Sequence, residues 1–203
     1  MRRLADGLWH WTARHPEWHG TSEFSASVGC YLAHADGRTI LIDPLLTEDI
    51  DDLVIGEVVV AVTIPYHVRD SAQAIDRYGG VVSGHPDVMK RLPAGLPFDQ
   101  DAGLHWHPLK RGKQRPLELP AHRALVFGDR IVGVEGGLRY WSQNPVTDKR
   151  AAYFHRTTAP QLAHLLEIDF DRALVTHGKP VLQDARQALE DALAAEPWYP
   201  RPS

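Results

Sequence analysis

Residues 57–70 read Glu57-Val58-Val59-Val60-Ala61-Val62-Thr63-Ile64-Pro65-Tyr66-His67-Val68-Arg69-Asp70. The run from Val58 to Ile64 is β-branched or small and apolar throughout. Without alternation it predicts a strand covered on both faces, of the kind found in parallel sheets. Pro65 stops the strand. From residue 70 to 78, Ala72, Ala74 and Ile75 recur at helical spacing, and Gly79-Gly80 closes the helix. Val81-Val82 then reads as a short buried strand. A strand, a helix and a second strand in this order form a βαβ signature.

Working outward, residues 28–34 and 39–42 flank Asp36-Gly37, a pair that tolerates positive φ at both turn positions and so predicts a hairpin. Asp43-Pro44 ends its second strand. Downstream, residues 91–103 read as a Pro- and Gly-rich surface loop. Short strands are expected at 104–109, 117–119, 124–127 and 131–134. Residues 142–158 read as an exposed loop with local basic character, 159–166 as a helix and 172–176 as a buried strand. The clearest helix is 180–195, where Val181, Ala185, Ala188, Leu189 and Ala192 form one stripe behind a first-turn proline. Residues 1–24 are aromatic and His-rich and carry no clear pattern. They are expected as a segment docked on a single domain spanning 1–203. The class is α/β: a two-layered sheet with helices outside.

The composition narrows the function. A chain of 203 residues suits one domain at roughly 150 residues per domain. Its single cysteine, Cys30, rules out a disulfide scaffold or a Cys-rich zinc fold and reads as a buried strand residue. A net charge of −4 argues against nucleic acid as a partner, which favours a basic excess. The longest purely apolar run, Val58 to Val62, is too short to cross a membrane. Met1-Arg2-Arg3 has no apolar stretch behind it, so a cytoplasmic protein is expected.

Five features stand in order along the chain: Leu41-Ile42-Asp43-Pro44, the segment Thr63 to Asp70, Phe127-Gly128-Asp129, Thr176-His177-Gly178, and the closing helix. Over roughly residues 25–195 this series resembles the metallo-β-lactamase superfamily. The resemblance implies an αββα sandwich, two mixed sheets face to face with helices outside, and a metal site at one sheet edge. It also implies hydrolytic chemistry, in which two metal ions, usually zinc, share a bridging hydroxide. The family motif is His-x-His-x-Asp-His. Here the matching positions read Pro65-x-His67-x-Arg69-Asp70, so only the second histidine is kept. The family's Gly-His-Thr segment is matched by Gly112-Lys113-Gln114, which places a lysine at the histidine position. His122 is the alternative, only seven residues before Asp129.

Carried over residue by residue, the implied metal ligands are His67, Asp129 and His177, with Asp70 as a fourth oxygen donor. Asp43 is implied as an organiser of the site floor. Arg69 and Lys113 fall where ligands belong. Their charge could hold an anionic substrate group, stabilise an oxyanion beside Asp129, or replace a metal outright by pairing with that carboxylate. A two-metal site is therefore not expected. One zinc, iron or manganese ion is compatible with three protein ligands, and so is no ion at all.

Other clusters carry weaker signals. His105 and His107 would share one face of a strand but have no third ligand nearby in sequence. His10, His15 and His19 alternate with Trp9, Trp11 and Trp18 and could form a pocket wall, a docked segment with half-buried rings, or the cover of a contact between two copies. Gly136-Gly137 reads as a bend. Two functional readings stay open. One is a hydrolase-type enzyme with at most one metal, acting on a small ester-like, amide-like or anionic substrate. The other is a metal-free, non-catalytic protein that binds a small anionic ligand or a protein partner.

Overall fold

The computed structural model describes residues 1–22, 24–110 and 112–199. In chain order the first half comprises β1 (Arg2–Ala5), β2 (Leu8–Arg14), β3 (Ser27–Ala35), β4 (Arg38–Ile42), β5 (Val58–Val62), α1 (Ser71–Tyr78) and β6 (Val81–Gly84). Its six strands form one sheet in sequence order. Strands β1 to β4 pair antiparallel, whereas β4, β5 and β6 run parallel. The second half comprises β7 (His105–Trp106), β8 (Leu117–Leu119), β9 (Ala124–Phe127), β10 (Ile131–Val134), β11 (Gly137–Tyr140), α2 (Asp148–Tyr153), α3 (Ala159–Ala163), β12 (Arg172–Val175) and α4 (Ala185–Ala194). Here β12, β9, β8 and β7 make a four-stranded sheet, with β12 and β9 parallel and the rest antiparallel. Strands β10 and β11 form a separate antiparallel ribbon.

Alternation along the strands sorts the core into three layers. Tyr31, Ala33, Ile40, Ile42 and Ala61 point from the first sheet toward Leu117, Leu119, Val126 and Leu174 of the second. Their neighbours Cys30, Leu32, Leu41, Val58, Val60 and Val62 point the other way, against Ala74 and Ile75 of α1. Leu125, Phe127, Ala173 and Val175 face outward from the second sheet against Leu162 of α3 and Leu189 and Leu193 of α4. Because both faces of each sheet are covered, the strands read as continuous apolar runs. The result is an αββα sandwich of two mixed sheets. Tyr31 stitches the sheets together: its hydroxyl donates to Val175 O at 2.8 Å and accepts from Val175 N at 3.0 Å.

Four segments differ from the sequence reading. Residues 2–14 are not a docked segment but two strands of the sheet, and all of β2 pairs with β3. Residues 142–158 are not simply a loop. Thr147 caps α2 through its side chain, and a π-helical turn, Phe154–Thr158, leads directly into α3. The last helix is shorter than expected, because Val181 is held in a bridge to Ala173 and Asp184 adopts a left-handed conformation before α4 begins. Gly136 is not in a simple bend with Gly137: Glu135 and Gly136 form the turn of the β10–β11 hairpin, and Gly137 opens a second strand that the sequence reading lacks.

Among the described residues, no helix is long and apolar enough to cross a membrane.

Candidate metal centre

The parallel pairs β4–β5 and β9–β12 bring four strand ends to one edge of the sandwich. Each end delivers polar residues to that edge. Asp43 follows β4, where it takes a positive φ of 45° and is buried. Its carboxylate joins three segments. Oδ1 accepts from Thr63 N at 2.9 Å, and Oδ2 accepts from Thr63 Oγ1 at 2.5 Å and from His67 Nδ1 at 2.9 Å. Thr176 Oγ1, beyond β12, lies 3.5 Å from Oδ2. His67 sits on the short helical turn Pro65–Val68 that follows β5.

With its Nδ1 committed to Asp43, His67 turns Nε2 toward Asp129, 3.1 Å from Oδ1. His177 Nε2 approaches the same Oδ1 at 3.3 Å. These three donor atoms lie within 4.8 Å of one another. Asp129 Oδ1 is buried yet receives no hydrogen bond of acceptable geometry, and His177 Nδ1 is likewise unpaired. The nitrogens are near the oxygen, but their N–H directions do not run along the contacts. A tetrahedral ion with ligand bonds of about 2.0–2.1 Å separates its donors by about 3.3 Å, close to the 3.1 and 3.3 Å between Asp129 Oδ1 and the two histidine nitrogens. Two imidazoles and one carboxylate also form the donor set of three-ligand catalytic sites. A carboxylate bonded behind a ligating imidazole fixes its tautomer in such sites. The residues present therefore fit a single divalent ion of the zinc, iron or manganese type.

Burial by itself would push the His67 imidazole down. The carboxylates of Asp129 and Asp43 outweigh it and raise His67 to about 9. Burial would raise Asp129, but the His67 charge and the contacts to both histidines hold its carboxyl well below the usual range. Asp43 is lowered too, against its own desolvation, by His67 first and Arg69 next. For His177 burial prevails and the value falls. Without an ion, the raised imidazole places a positive charge between the two carboxylates; an ion would supply that charge instead, at Nε2.

The cluster forms the floor of a cavity of about 390 Å³. The segment between β2 and β3 supplies its wall, through His15, Trp18, His19 and Phe24 among others. The Phe24 ring stacks on His177, with centroids 3.6 Å apart and planes 5° apart.

No protein-family model and no curated protein matches this chain. Solved structures do. A metallo-beta-lactamase from Pontibacter korlensis superposes with a TM-score of 0.62 at 14% identity, covering 96% of this chain and 98% of that one. A metallo-beta-lactamase from Erythrobacter litoralis gives 0.61 at 17%, covering 95% of each. An archaeal metallo-beta-lactamase superfamily protein from Sulfolobus tokodaii gives 0.62 at 13%, covering 93% and 85%. The chain has the metallo-β-lactamase fold.

Within this metallo-β-lactamase fold, the remaining residues singled out from sequence are placed apart from the three donors. Asp70 starts α1, where Oδ2 accepts from Leu46 N at 2.8 Å. Lys113 is exposed and pairs with Asp87. The next residue, Gln114, is the buried one: it lies against Gly128, and its Oε1 accepts from Arg130 N at 3.0 Å. Arg69 makes no ion pair with Asp129. Its Nη1 donates to Asp43 O at 2.6 Å and to Gly29 O at 3.2 Å, and its Nε and Nη2 are buried without partners. His122 instead bonds His34 O at 2.9 Å. His105 is exposed, and His107 bonds Glu118 at 2.9 Å. His10 stacks on Tyr31 within the sheet, and Trp9 and Trp11 pack in the outer core, so only His15, His19 and Trp18 of that cluster reach the cavity. Cys30 is buried, and its thiol is pushed up to about 11, chiefly by burial.

Proposed function

We propose that the chain is a divergent hydrolase of the metallo-β-lactamase type with a single-metal centre formed by His67, Asp129 and His177. The observation that carries this reading is the convergence of two Nε2 atoms on a buried Asp129 Oδ1 that accepts no aligned hydrogen bond. Bound there, a divalent ion would supply Lewis acidity and a water of lowered pKa. The chain's own residues do the rest. Asp43 orients His67. Phe24 covers one face of the His177 ring and limits water on that side. Arg69, held rigidly against Asp43 O and Gly29 O, keeps a fixed positive charge beside the cluster. That charge favours an anionic substrate group and the oxyanion that forms during attack on an ester or amide. The cavity of about 390 Å³ suits a small molecule.

A metal-free binding protein is the second reading. It is favoured by one observation: His67 lies between two buried carboxylates, Nδ1 2.9 Å from Asp43 Oδ2 and Nε2 3.1 Å from Asp129 Oδ1, so a positive charge on its own ring balances them without an ion. Elemental mass spectrometry on untagged protein, purified without chelator, separates the two. The hydrolase reading expects about one zinc, iron or manganese per chain, lost in His177→Ala and in Asp129→Asn. No stoichiometric metal, even after incubation with excess zinc, would overturn it in favour of the metal-free protein.

A further inference from the structure

A second cavity, larger than the one above the metal cluster, lies elsewhere. It measures about 750 Å³, against about 390 Å³ above the metal cluster, and falls within the range of about 300–1,000 Å³ usual for small-molecule sites. Arg130, Lys149 and Arg150 line it, and among the described lining residues there is no aspartate or glutamate. None of the three cations has a carboxylate partner among the described residues. Arg150 Nη1 donates to Pro145 O at 2.8 Å, which leaves its charge uncompensated, and basic side chains without carboxylate partners around one hollow make a field that favours an anion. Tyr140 and Thr158 add hydroxyls, with the Arg130 guanidinium beside the Tyr140 phenol. Ser142, Thr147 and Gln161 add polar groups at the wall, and the apolar part of the lining includes Phe154 and Leu162, which belong to the buried core yet face this space. Phe154 and Thr158 are the two ends of the π-helical turn, a local geometry often found at functional sites.

We infer that this cavity is a second ligand site, for a molecule with an anionic head, carboxylate or phosphate, and an apolar body. Guanidinium and ammonium groups recognise both heads, Arg in bidentate fashion and Lys as a point charge. The aromatic and aliphatic floor takes the body. The site shares no described lining residue with the cavity over His67, Asp129 and His177, so it stands independently of the metal reading.

Isothermal titration calorimetry with octanoate, octyl phosphate, octan-1-ol and inorganic phosphate tests it on the full chain. Octanoate or octyl phosphate should bind at least tenfold more tightly than octan-1-ol and than inorganic phosphate, and the tighter of the two identifies the head. In a Lys149→Gln/Arg150→Gln double variant, both positions being exposed, that affinity should fall at least tenfold with the melting temperature unchanged. In His177→Ala it should persist, because the metal cluster is not involved. Octan-1-ol binding as tightly as the anions, a double variant binding like the parent, or loss of binding in His177→Ala would each overturn the inference.

Discussion

At the scale of single residues, the site depends on one carboxylate that touches no substrate. Asp43 accepts from His67 Nδ1, Thr63 N and Thr63 Oγ1 and is fully enclosed. Replacing it with asparagine keeps the volume but removes the charge that fixes the imidazole. Loss of such a partner behind a ligating histidine typically costs about 10–100-fold in metal affinity. Asp43→Asn should therefore weaken zinc binding by about that factor in a chelator-competition titration. Unchanged affinity would leave Asp43 with a purely structural role. The family resemblance picked out His67, Asp129 and His177 at the right places because each follows an apolar strand closely, so the strand end fixes its place. Lys113 could not be placed this way, because it lies in a loop where counting residues says nothing about which side chain turns inward. Arg115 decides that point. Its N bonds Thr63 O at 2.9 Å, and its buried guanidinium bonds Gly84 O and Gln100 O, each at 2.9 Å. This anchoring leaves Gln114 inside and Lys113 in solvent.

At the scale of elements, His177 is held by the close approach of two backbones. Gly133 N in β10 donates to His177 O at 2.9 Å, and a Cβ on Gly133 would lie 2.0 Å from Lys179 O. Gly136 differs: its φ is +83°, but a Cβ there would meet nothing within 4 Å. The two alanine variants should therefore separate. Gly133→Ala forces the backbone apart, an overpacking cost of about 1–3 kcal/mol or more, and moves His177 with it. Gly136→Ala pays only for a left-handed residue, about 1–2 kcal/mol. Denaturant melts should rank them in that order, and metal should be lost only from Gly133→Ala. Equal metal content in both would show that β10 does not position the site. The elements that escaped sequence reading share a cause. Strand β2 carries Leu8 and His10 toward one layer and Trp9 and Trp11 toward the other. Rings on both faces hide the two-residue period. In the segment from α2 to α3 the π-turn breaks the helical period, and few residues there are buried.

At the scale of the whole molecule, the two sheets meet at the site. His67 comes from the first sheet, Asp129 and His177 from the second. The αββα layering was legible because apolar runs, the hairpin and the βαβ unit all point to covered mixed sheets. Which sheet would contribute each donor was not, since that depends on pairing between strands far apart in sequence. The consequence is thermodynamic: an ion held by donors from both sheets binds the folded chain and not the separated halves. Zinc at about 100 times its dissociation constant should then stabilise the fold by about 2.7 kcal/mol. For a chain of this size that raises the melting temperature by about 5–11 °C, at roughly 2–4 °C per kcal/mol. Scanning calorimetry of chelator-treated protein, with and without added zinc, measures the shift. Binding of zinc to the twelve histidines of the unfolded chain opposes it, so the informative comparison is with Asp129→Asn under the same two conditions. That variant should keep the fold, because the Tyr31 stitch and all three apolar layers remain, and should lose the zinc-dependent part of the shift. An equal shift in both proteins would mean that zinc stabilises the chain from somewhere other than the meeting point of the sheets.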